Sequence, residues 1–396
     1  MRSSRPTIRL SDSFLTAVFE QARVSGMPHS IYRYPARFSP AFARQAILSF
    51  TDVGELVLDP FTGGGTAITE AMALARRAAC LDISSLATFL IRVKTTPLSI
   101  HDTKAIKLWA IALPGEDEIK SSTFAGRERE ARHLTDEAYQ FFKTILLRTD
   151  KLRNRRQKDF VRLVLLATGQ SALDCKAMLP STSTLLSEFR RMLELALIGF
   201  RRFWHEVAGV YHVPPGRVTQ FRRILRRSCT GCESDRRIPY EWLPAKLVLT
   251  SPPYPGVHVL YHRWQILGRR ETSAAFWIAN QNDGAGESYY TFGSRQQPGL
   301  RTYFRNLRET FSSIRVLVDH ASTVVQLVGF SAPDWQLPAY LATMKATGFE
   351  EVLPECERTA LFRRRVWRNI PSRRWYACIE PEITSSREVL LFHRAV

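Results

Sequence analysis

Residues 57–66 have the sequence Val-Leu-Asp-Pro-Phe-Thr-Gly-Gly-Gly-Thr, and residues 67–75 continue as Ala-Ile-Thr-Glu-Ala-Met-Ala-Leu-Ala. The pattern predicts a buried strand, a glycine-rich turn and a helix. Glycines let a backbone approach a ligand closely, and the start of a helix presents free N–H groups. The stretch therefore predicts the first unit of a doubly wound α/β fold with a cofactor at the turn; the simpler alternative is a purely structural turn.

The next predicted strand, at residues 79–82, ends in an acid. Asp82 lies 17 residues beyond Gly65, near the spacing at which an acid meets ribose hydroxyls in doubly wound folds. The glycine motif typical of nicotinamide dinucleotide binding is incomplete, because Ile68 stands where its third glycine is expected. A P-loop is excluded because no Gly-Lys-Ser/Thr ending follows. The pattern favours a cofactor that contains ribose.

A second motif, Ser251-Pro252-Pro253-Tyr254, follows the apolar stretch at residues 247–250. The prolines predict a rigid corner whose carbonyls are free to accept hydrogen bonds. The serine oxygen and the first proline carbonyl together suit the two hydrogens of an exocyclic amine on a nucleobase, and the tyrosine offers a flat face for its ring. The alternative is a turn that merely ends a strand.

Together the two motifs resemble those of the DNA amino-methyltransferases, which use S-adenosyl-L-methionine. The run from Asp59 to Thr66 is similar to the cofactor motif of that family, and the run from Thr250 to Tyr254 resembles its catalytic motif in the cytosine-N4 form. Residues 34–40 resemble the segment that closes over the methionine end, and residues 82–87 the segment on the adenosine side. The resemblance implies cofactor contacts at Tyr34, Phe38, Asp59, Pro60, Phe61, Gly63, Gly65, Thr66, Asp82 and Asp235, and catalytic roles for Ser251, Pro252, Pro253 and Tyr254.

The fold implied is a Rossmann-like, doubly wound methyltransferase sheet with a helical insertion. We expect the cofactor half in residues 1–100, a basic helical insertion in residues 101–230 and the catalytic half in residues 231–396. Helical spacing predicts helices at 127–147, 155–175 and 183–207, and we expect no strong strand within the insertion. Later residues predict strands at 322–330 and 388–392, a helix at 337–346, a strand that ends at Asp235, and a mobile loop at 280–299.

The charge of the chain predicts a polyanionic partner. The formal net charge is +19, and such an excess favours double-stranded DNA. The insertion, as a candidate recognition region, carries 24 Lys or Arg against 14 Asp or Glu between residues 101 and 227. A second basic cluster alternates with aromatic residues at 358–375, which suits phosphate contact and base stacking, although a solvated surface is the alternative. The predicted DNA contacts are Arg363, Arg364, Arg365, Trp367, Arg373 and Arg374.

The remaining composition narrows the class of protein. Six cysteines in 396 residues do not suggest a disulfide framework. Cys229 and Cys232 form a single Cys-x-x-Cys pair without a second pair, so we expect no metal site. No stretch has the apolar length of a membrane helix, and residues 1–27 lack the apolar core of a signal peptide. We therefore expect a cytoplasmic protein.

These observations predict an enzyme that methylates the N4 amine of a cytosine flipped out of a short DNA sequence. The alternatives are an adenine-N6 methyltransferase, an RNA base methyltransferase and a DNA-binding scaffold without turnover. Serine at position 251, rather than aspartate, favours cytosine. A cognate restriction endonuclease would be a partner if the enzyme belongs to a restriction system. The sequence leaves the recognition site and the oligomeric state open.

Overall fold

A computed structural model describes residues 7–20, 22, 24–34, 38–256, 264–267, 270–282, 290–293, 297–356, 361–362, 364–369 and 387–396. The strands are β1 (Thr7–Arg9), β2 (Leu56–Asp59), β3 (Arg77–Asp82), β4 (Arg222–Arg226), β5 (Ala245–Thr250), β6 (Trp264–Ile266), β7 (Arg270–Thr272), β8 (Thr323–Gly329), β9 (Phe349–Glu351), β10 (Leu353–Cys356), β11 (Leu361–Phe362), β12 (Val366–Asn369) and β13 (Arg387–Ala395). The helices are α1 (Asp12–Phe19), α2 (Pro40–Phe50), α3 (Thr66–Ala73), α4 (Ser85–Lys94), α5 (Ile100–Ile111), α6 (Glu116–Lys120), α7 (Asp136–Thr149), α8 (Arg155–Leu173), α9 (Thr182–Tyr211), α10 (Ala274–Ala279), α11 (Gln297–Val316) and α12 (Pro333–Ala346).

The main sheet has the strand order β12-β13-β8-β5-β2-β3-β4, with β9 paired to β13. Strands β4, β3, β2, β5 and β8 are parallel, whereas β13 is antiparallel to both β8 and β12. The chain leaves β2 towards β3 and β4, then returns to the other side of β2 as β5. The order therefore reverses between β2 and β5, and ligands bind at the carboxyl ends of strands at such a switch point. The predicted Rossmann-like, doubly wound sheet is confirmed.

The core lies on both faces of this sheet, because successive side chains of a strand point to opposite sides. Within β5, Leu247 and Leu249 belong to one hydrophobic cluster and Val248 to the other. The first cluster also contains the buried side of α2, α3 and α4, and the second contains that of α11 and α12. Helices on both faces explain why the central parallel strands are almost continuously apolar.

A block of helices, α5 to α9, connects β3 to β4. The predicted helices at 155–175 and 183–207 correspond to α8 and α9, and the predicted apolar stripe of α8, which includes Phe160 and Leu163, is fully buried. Side chains at Asn154 and Ser181 cap the two helices by accepting hydrogen bonds from backbone N–H groups. The buried side chains of the block belong to the same cluster as the first face of the sheet, so the core is continuous. Among the described residues, no helix has both the length and the apolar composition to cross a membrane.

One expectation about chain organisation was wrong. Strand β4 lies within residues 101–230, where we expected no strong strand, and it pairs with β3. It escaped the sequence pattern because it is an edge strand rich in arginine: Leu225 is its fully buried residue, while Arg222 bonds to Thr95 and Arg223 lies over the ring of Trp242. The mobile loop at 280–299 stays a prediction: its described residues 280–282 and 290–293 lie outside helices and strands, α11 begins at residue 297, and residues 283–289 and 294–296 lie outside the described part of the chain.

Candidate active site

The glycine turn after β2 is shaped to hold an aromatic side chain. Gly63 and Gly65 have positive φ angles of 50° and 78°, which other residues rarely adopt. A Cβ atom on Gly63 would lie 2.7 Å from Cε1 of Tyr34, and one on Gly64 would lie 2.7 Å from its Cβ. The turn is thus built for close approach, and Tyr34 of the predicted closing segment covers it. Residues 35–37 of that segment lie outside the described residues.

Asp82, at the end of β3, is tied to the glycine turn. Its Oδ2 accepts a hydrogen bond of 2.8 Å from the backbone N–H of Gly63, and its Oδ1 accepts one of 2.8 Å from Ser84. Burial raises the pKa of Asp82 to about 6, although both backbone bonds favour the carboxylate. The acid therefore holds the turn in place while it faces the cavity at the strand ends.

Asp59, at the end of β2, connects the two halves of the site. Its Oδ1 accepts hydrogen bonds from the Thr250 hydroxyl at 2.9 Å and from the Phe61 N–H at 3.2 Å. The side chain is 3% exposed, and burial raises the pKa of Asp59 to about 7, to which the nearby carboxylate of Asp82 contributes. Since Thr250 is the last residue of β5, this bond brings the cofactor motif and the catalytic motif together.

The proline corner is fixed by hydrogen bonds to residues of β8 and α11. Ser251 Oγ lies 3.0 Å from the carbonyl oxygen of Leu327 on β8 and 3.0 Å from the hydroxyl of Tyr254. The Tyr303 hydroxyl donates to the Pro253 carbonyl at 2.7 Å. These bonds hold the corner rigidly beside the tips of β5 and β8.

One cavity lies over the strand ends and brings most of the predicted residues together. Its predicted lining residues are Tyr34, Phe38, Asp59, Pro60, Phe61, Gly63, Thr66, Asp82, Ser251 and Pro253. It is also lined by Thr62, Gly64, Ile83, Arg227, Ser228, Cys229, Tyr290 and Phe292. Both motifs therefore share one cavity, as a transfer between a bound cofactor and a second molecule requires.

Four of the predicted site residues do not line this cavity: Gly65, Pro252, Tyr254 and Asp235. Gly65 precedes α3 and serves the turn. The Tyr254 ring lies against Gly329, whose added Cβ would come within 2.8 Å of it, and the tyrosine hydroxyl donates to the buried carboxylate of Glu388. Tyr254 thus has a hydrogen-bonding role that the sequence did not predict, and the stacking of a base on its ring stays a prediction.

Asp235 is placed differently from our expectation. The expected strand up to this residue is wrong, because β4 ends at Arg226 and a turn and a short 3₁₀ helix follow. The Asp235 carboxylate pairs with Arg237 at 2.6 Å and with Arg227 at 2.9 Å. The hydrogen bonds from Arg237 hold the pKa of Asp235 far below its usual value. Asp235 is therefore connected to the cavity through Arg227, which lines it.

The residues that the sequence analysis missed come from two places. Arg227, Ser228 and Cys229 directly follow β4, which ends at the carboxyl edge of the sheet beside β3. Recognition of β4 as a strand would have identified them, since residues that follow parallel strands meet at this edge. Tyr290 and Phe292 belong to the predicted loop, and the ring of Phe292 lies 5.2 Å from that of Phe61.

The predicted DNA contacts are only partly described. Arg363, Arg373 and Arg374 lie outside the described residues. Arg364 is exposed, whereas Arg365 forms an ion pair of 2.6 Å with Glu351. Trp367 is half-buried on β12, with the Arg387 guanidinium 5.3 Å from its ring centre.

The end of β12 and the start of β13 lie at the carboxyl edge of the sheet. Asn369 pairs with Arg387, and Glu388 pairs with Gly329 at the end of β8. The described residues that flank 370–386 are thus on the same edge as the cavity.

Comparison with known proteins agrees with this geometry. The family model described as DNA methylase matches residues 8–88, which include Tyr34, the glycine turn and Asp82. This segment is similar to the DNA methylase family. A curated relative, the Type II methyltransferase M.MjaII of Methanocaldococcus jannaschii, is 29% identical over 80 residues, which are 20% of this chain and 15% of that protein. The chain thus matches a small part of its curated relative, and the proline corner lies outside the family match.

Solved structures with similarity to this chain include TrmN and an rRNA methyltransferase. TrmN from Thermus thermophilus is 11% identical, with a TM-score of 0.30 over 91% of this chain and 49% of TrmN. The rRNA methyltransferase AviRa from Streptomyces viridochromogenes is 12% identical, with a TM-score of 0.30 over 97% of this chain and 93% of AviRa. The fold assignment rests on the strand order and register.

Proposed function

We propose that this protein transfers a methyl group from S-adenosyl-L-methionine to the exocyclic N4 amine of a cytosine in double-stranded DNA. One observation carries the proposal: Asp59 of the cofactor motif and Thr250, which precedes Ser251, are 191 residues apart in sequence and bonded at 2.9 Å. The two motifs share one cavity at the switch point of the sheet. The family of residues 8–88 supports a methyltransferase as the general class.

The residues of the cavity fit the parts of S-adenosyl-L-methionine. Asp59 and Asp82 are the acids that would hold its ammonium group and its ribose hydroxyls, respectively. Phe38, Phe61 and Ile83 supply apolar contacts for the rest of the molecule. When bound, the cofactor supplies an activated methyl group on a sulfonium centre. The protein then contributes positioning and electrostatics rather than a covalent nucleophile.

The proline corner fits an amine as the acceptor of the methyl group. An amine on a nucleobase has two hydrogens to donate and a lone pair that is delocalised into the ring. Ser251 lines the cavity, and Pro252 is the next residue in the chain. The serine oxygen and the Pro252 carbonyl would each accept one of these hydrogens. Two acceptors would pull the nitrogen towards tetrahedral geometry and orient its lone pair for attack. This requires a base outside the duplex stack, so we propose that the target cytosine is flipped out.

The net charge of +19 supports a nucleic acid as the substrate. Arg364, which is exposed and directly precedes β12, is a described basic residue that would contact the DNA backbone. A cognate restriction endonuclease is the partner that a restriction system would add.

The test is to incubate the protein with labelled S-adenosyl-L-methionine and unmethylated genomic DNA or total RNA, and then to identify the labelled nucleoside. We expect N4-methylcytosine in DNA. Label in N6-methyladenine would show that the target is adenine rather than cytosine. Label only in RNA would show that the substrate is RNA rather than DNA. Cofactor binding without any transfer would contradict an enzymatic role.

A Ser251→Ala variant tests the assigned chemistry. Loss of one hydrogen-bond acceptor should lower kcat by about 10²-fold, while cofactor affinity measured by calorimetry stays unchanged. Ser183→Ala, an exposed serine in α9, is the matched control and should retain full activity. Full activity of Ser251→Ala would remove this serine from the mechanism.

A further inference from the structure

A chain of hydrogen bonds leads from the cavity into the sheet. It begins at Ser251 Oγ, passes through the Tyr254 hydroxyl and ends at the carboxylate of Glu388 on β13. Glu388 is 1% exposed, and Arg368 of β12 donates to its Oε2 at 2.9 and 2.7 Å. Glu388 and Arg368 both lie outside the catalytic motif, and Glu388 is 134 residues beyond Tyr254.

The charges of this chain determine which group donates each proton. The Arg368 guanidinium is always protonated, and its remaining Nη1 donates to the carbonyl of Val18 at 3.0 Å. Glu388 accepts both hydrogen bonds from Arg368 at its Oε2, and its Oε1 is the acceptor that faces Tyr254. At the contact between Tyr254 and Glu388 the tyrosine must therefore be the donor.

The single hydroxyl proton of Tyr254 is then committed to Glu388, so its oxygen can only accept from Ser251. The Leu327 carbonyl, 3.0 Å from Ser251 Oγ, can also only accept. Whichever of the two receives the serine proton, that proton points away from the cavity. Only lone pairs of Ser251 remain to face a substrate.

We propose that Glu388, held by Arg368 and acting through Tyr254, is a positioning residue that fixes Ser251 as a hydrogen-bond acceptor for the substrate amine. The inference rests on the proposed function, because an acceptor at this position matters only if an amine is the substrate. It also predicts specificity: a carbonyl-bearing base such as thymine presents no amine and meets oxygen lone pairs at this position.

Two variants test the chain of bonds at different points. Tyr254→Phe removes the hydroxyl and keeps the ring, so Glu388 no longer acts on Ser251 and the Leu327 carbonyl alone, of the two described acceptors, is left to hold the serine proton. Glu388→Gln places an amide N–H against the tyrosine oxygen, which turns the tyrosine proton towards Ser251 and occupies one of its lone pairs. We expect each variant to lower kcat by about tenfold, the effect of one hydrogen bond in the transition state, with KM for DNA and the Kd for cofactor unchanged.

The double variant decides between positioning and mere structural support. If Glu388 acts through Tyr254, then Glu388→Gln should have no further effect on kcat in the Tyr254→Phe background. Multiplied single effects, or full activity of Tyr254→Phe, would overturn the inference even if wild-type protein methylates DNA. Wild-type protein that transfers no methyl group would instead overturn the proposed function.

Asp319→Asn is the control for loss of an ion pair, here a half-buried one. Asp319 pairs with Lys246 at 2.9 Å and precedes β8, at the opposite edge of the sheet from the cavity. The variant should lose stability without a change in kcat. Thermal unfolding of all variants separates misfolding from the kinetic effect, and Tyr254→Phe keeps the test decisive if Glu388→Gln fails to fold.

Discussion

Thr250 donates a hydrogen bond of 2.9 Å to Asp59 across the tips of two neighbouring strands. Strand β5 carries the proline corner and β2 carries the glycine turn, so this bond lies between the two halves of the cavity. The relationship connects the acid proposed to bind the cofactor with the corner proposed to bind the base.

Removal of the Asp59 charge should weaken cofactor binding. Asp59→Asn keeps the shape of the side chain and its acceptor for Thr250, but it loses the attraction for an ammonium group in a buried site. We expect the Kd for S-adenosyl-L-methionine, measured by calorimetry, to rise at least tenfold, since hydrogen bonds to charged groups contribute about 1.5–3 kcal/mol. Asp117→Asn, an exposed acid in α6, should leave the Kd unchanged.

Cofactor affinity should depend on pH near neutrality. Burial raises the pKa of Asp59 to about 7 and of Asp82 to about 6, so both acids are partly protonated at pH 6. A bound cation favours the carboxylates, and affinity should therefore rise between pH 5.5 and pH 8 with release of protons. Calorimetry in two buffers of different ionisation enthalpy measures this release, and an affinity that falls with pH would contradict it.

The same raised pKa values should make the stability of the cofactor-free protein fall as pH rises, whereas cofactor affinity rises with pH. Asp59 and Asp82 bind protons more tightly in the folded chain than in the unfolded chain, where the ordinary pKa is 3.8. Their contribution to the free energy of unfolding is therefore largest below pH 4 and falls as pH rises towards 7. In Asp59→Asn, denaturant titrations at several pH values should show a weaker decline than in wild-type protein.

The close contact of Tyr34 with the glycine turn predicts a steric effect. In Gly64→Ala the new Cβ would lie 2.7 Å from the Cβ of Tyr34, so one of the two must move. We expect a loss of about 1–3 kcal/mol in the free energy of unfolding and weaker cofactor binding. Gly216→Ala is the matched control, because no atom of the described residues, apart from its chain neighbours, lies within 4 Å of its Cβ position. It should leave the stability within about 0.5 kcal/mol.

Two neighbouring arginines should differ in their effect on DNA binding. Arg364 is exposed, while Arg365 is paired with Glu351 at 2.6 Å. If Arg364 contacts a phosphate, Arg364→Gln should weaken DNA binding and reduce the slope of log affinity against log salt by about 1. Arg365→Gln should change this slope less, because its charge is already paired; equal slopes for wild type and Arg364→Gln would exclude the contact.

The sequence predicted those parts of the site in which residues close in the chain are also close in space. Asp59, Gly63 and Asp82 follow from strand, turn and strand patterns within one unit of the fold, and the structure places all three at the cavity. Strand β4 did not follow, because a strand at the edge of a sheet needs no apolar run and this one is mostly arginine. Its misassignment also led to the wrong position for Asp235.

Glu388 could not be predicted as a partner of Tyr254. The sequence identified its strand, but the contact depends on β13 running antiparallel beside β8, and on the side of the sheet to which a glutamate within an apolar stretch points. A buried acid in such a stretch is the signal that could have found it, since buried charges are paired.

Strand β5 is central in the sheet and is held on both sides at its tip. Thr250 bonds to Asp59 on β2, and the next residue, Ser251, bonds to Leu327 on β8. A movement of β2 at Asp59 is thus transmitted through Thr250 to Ser251, and a movement of β8 at Leu327 is transmitted through Ser251 to Thr250. The cofactor and the target base should consequently affect each other's binding. The factor by which bound cofactor changes the affinity for the base must equal the factor by which bound base changes the affinity for the cofactor.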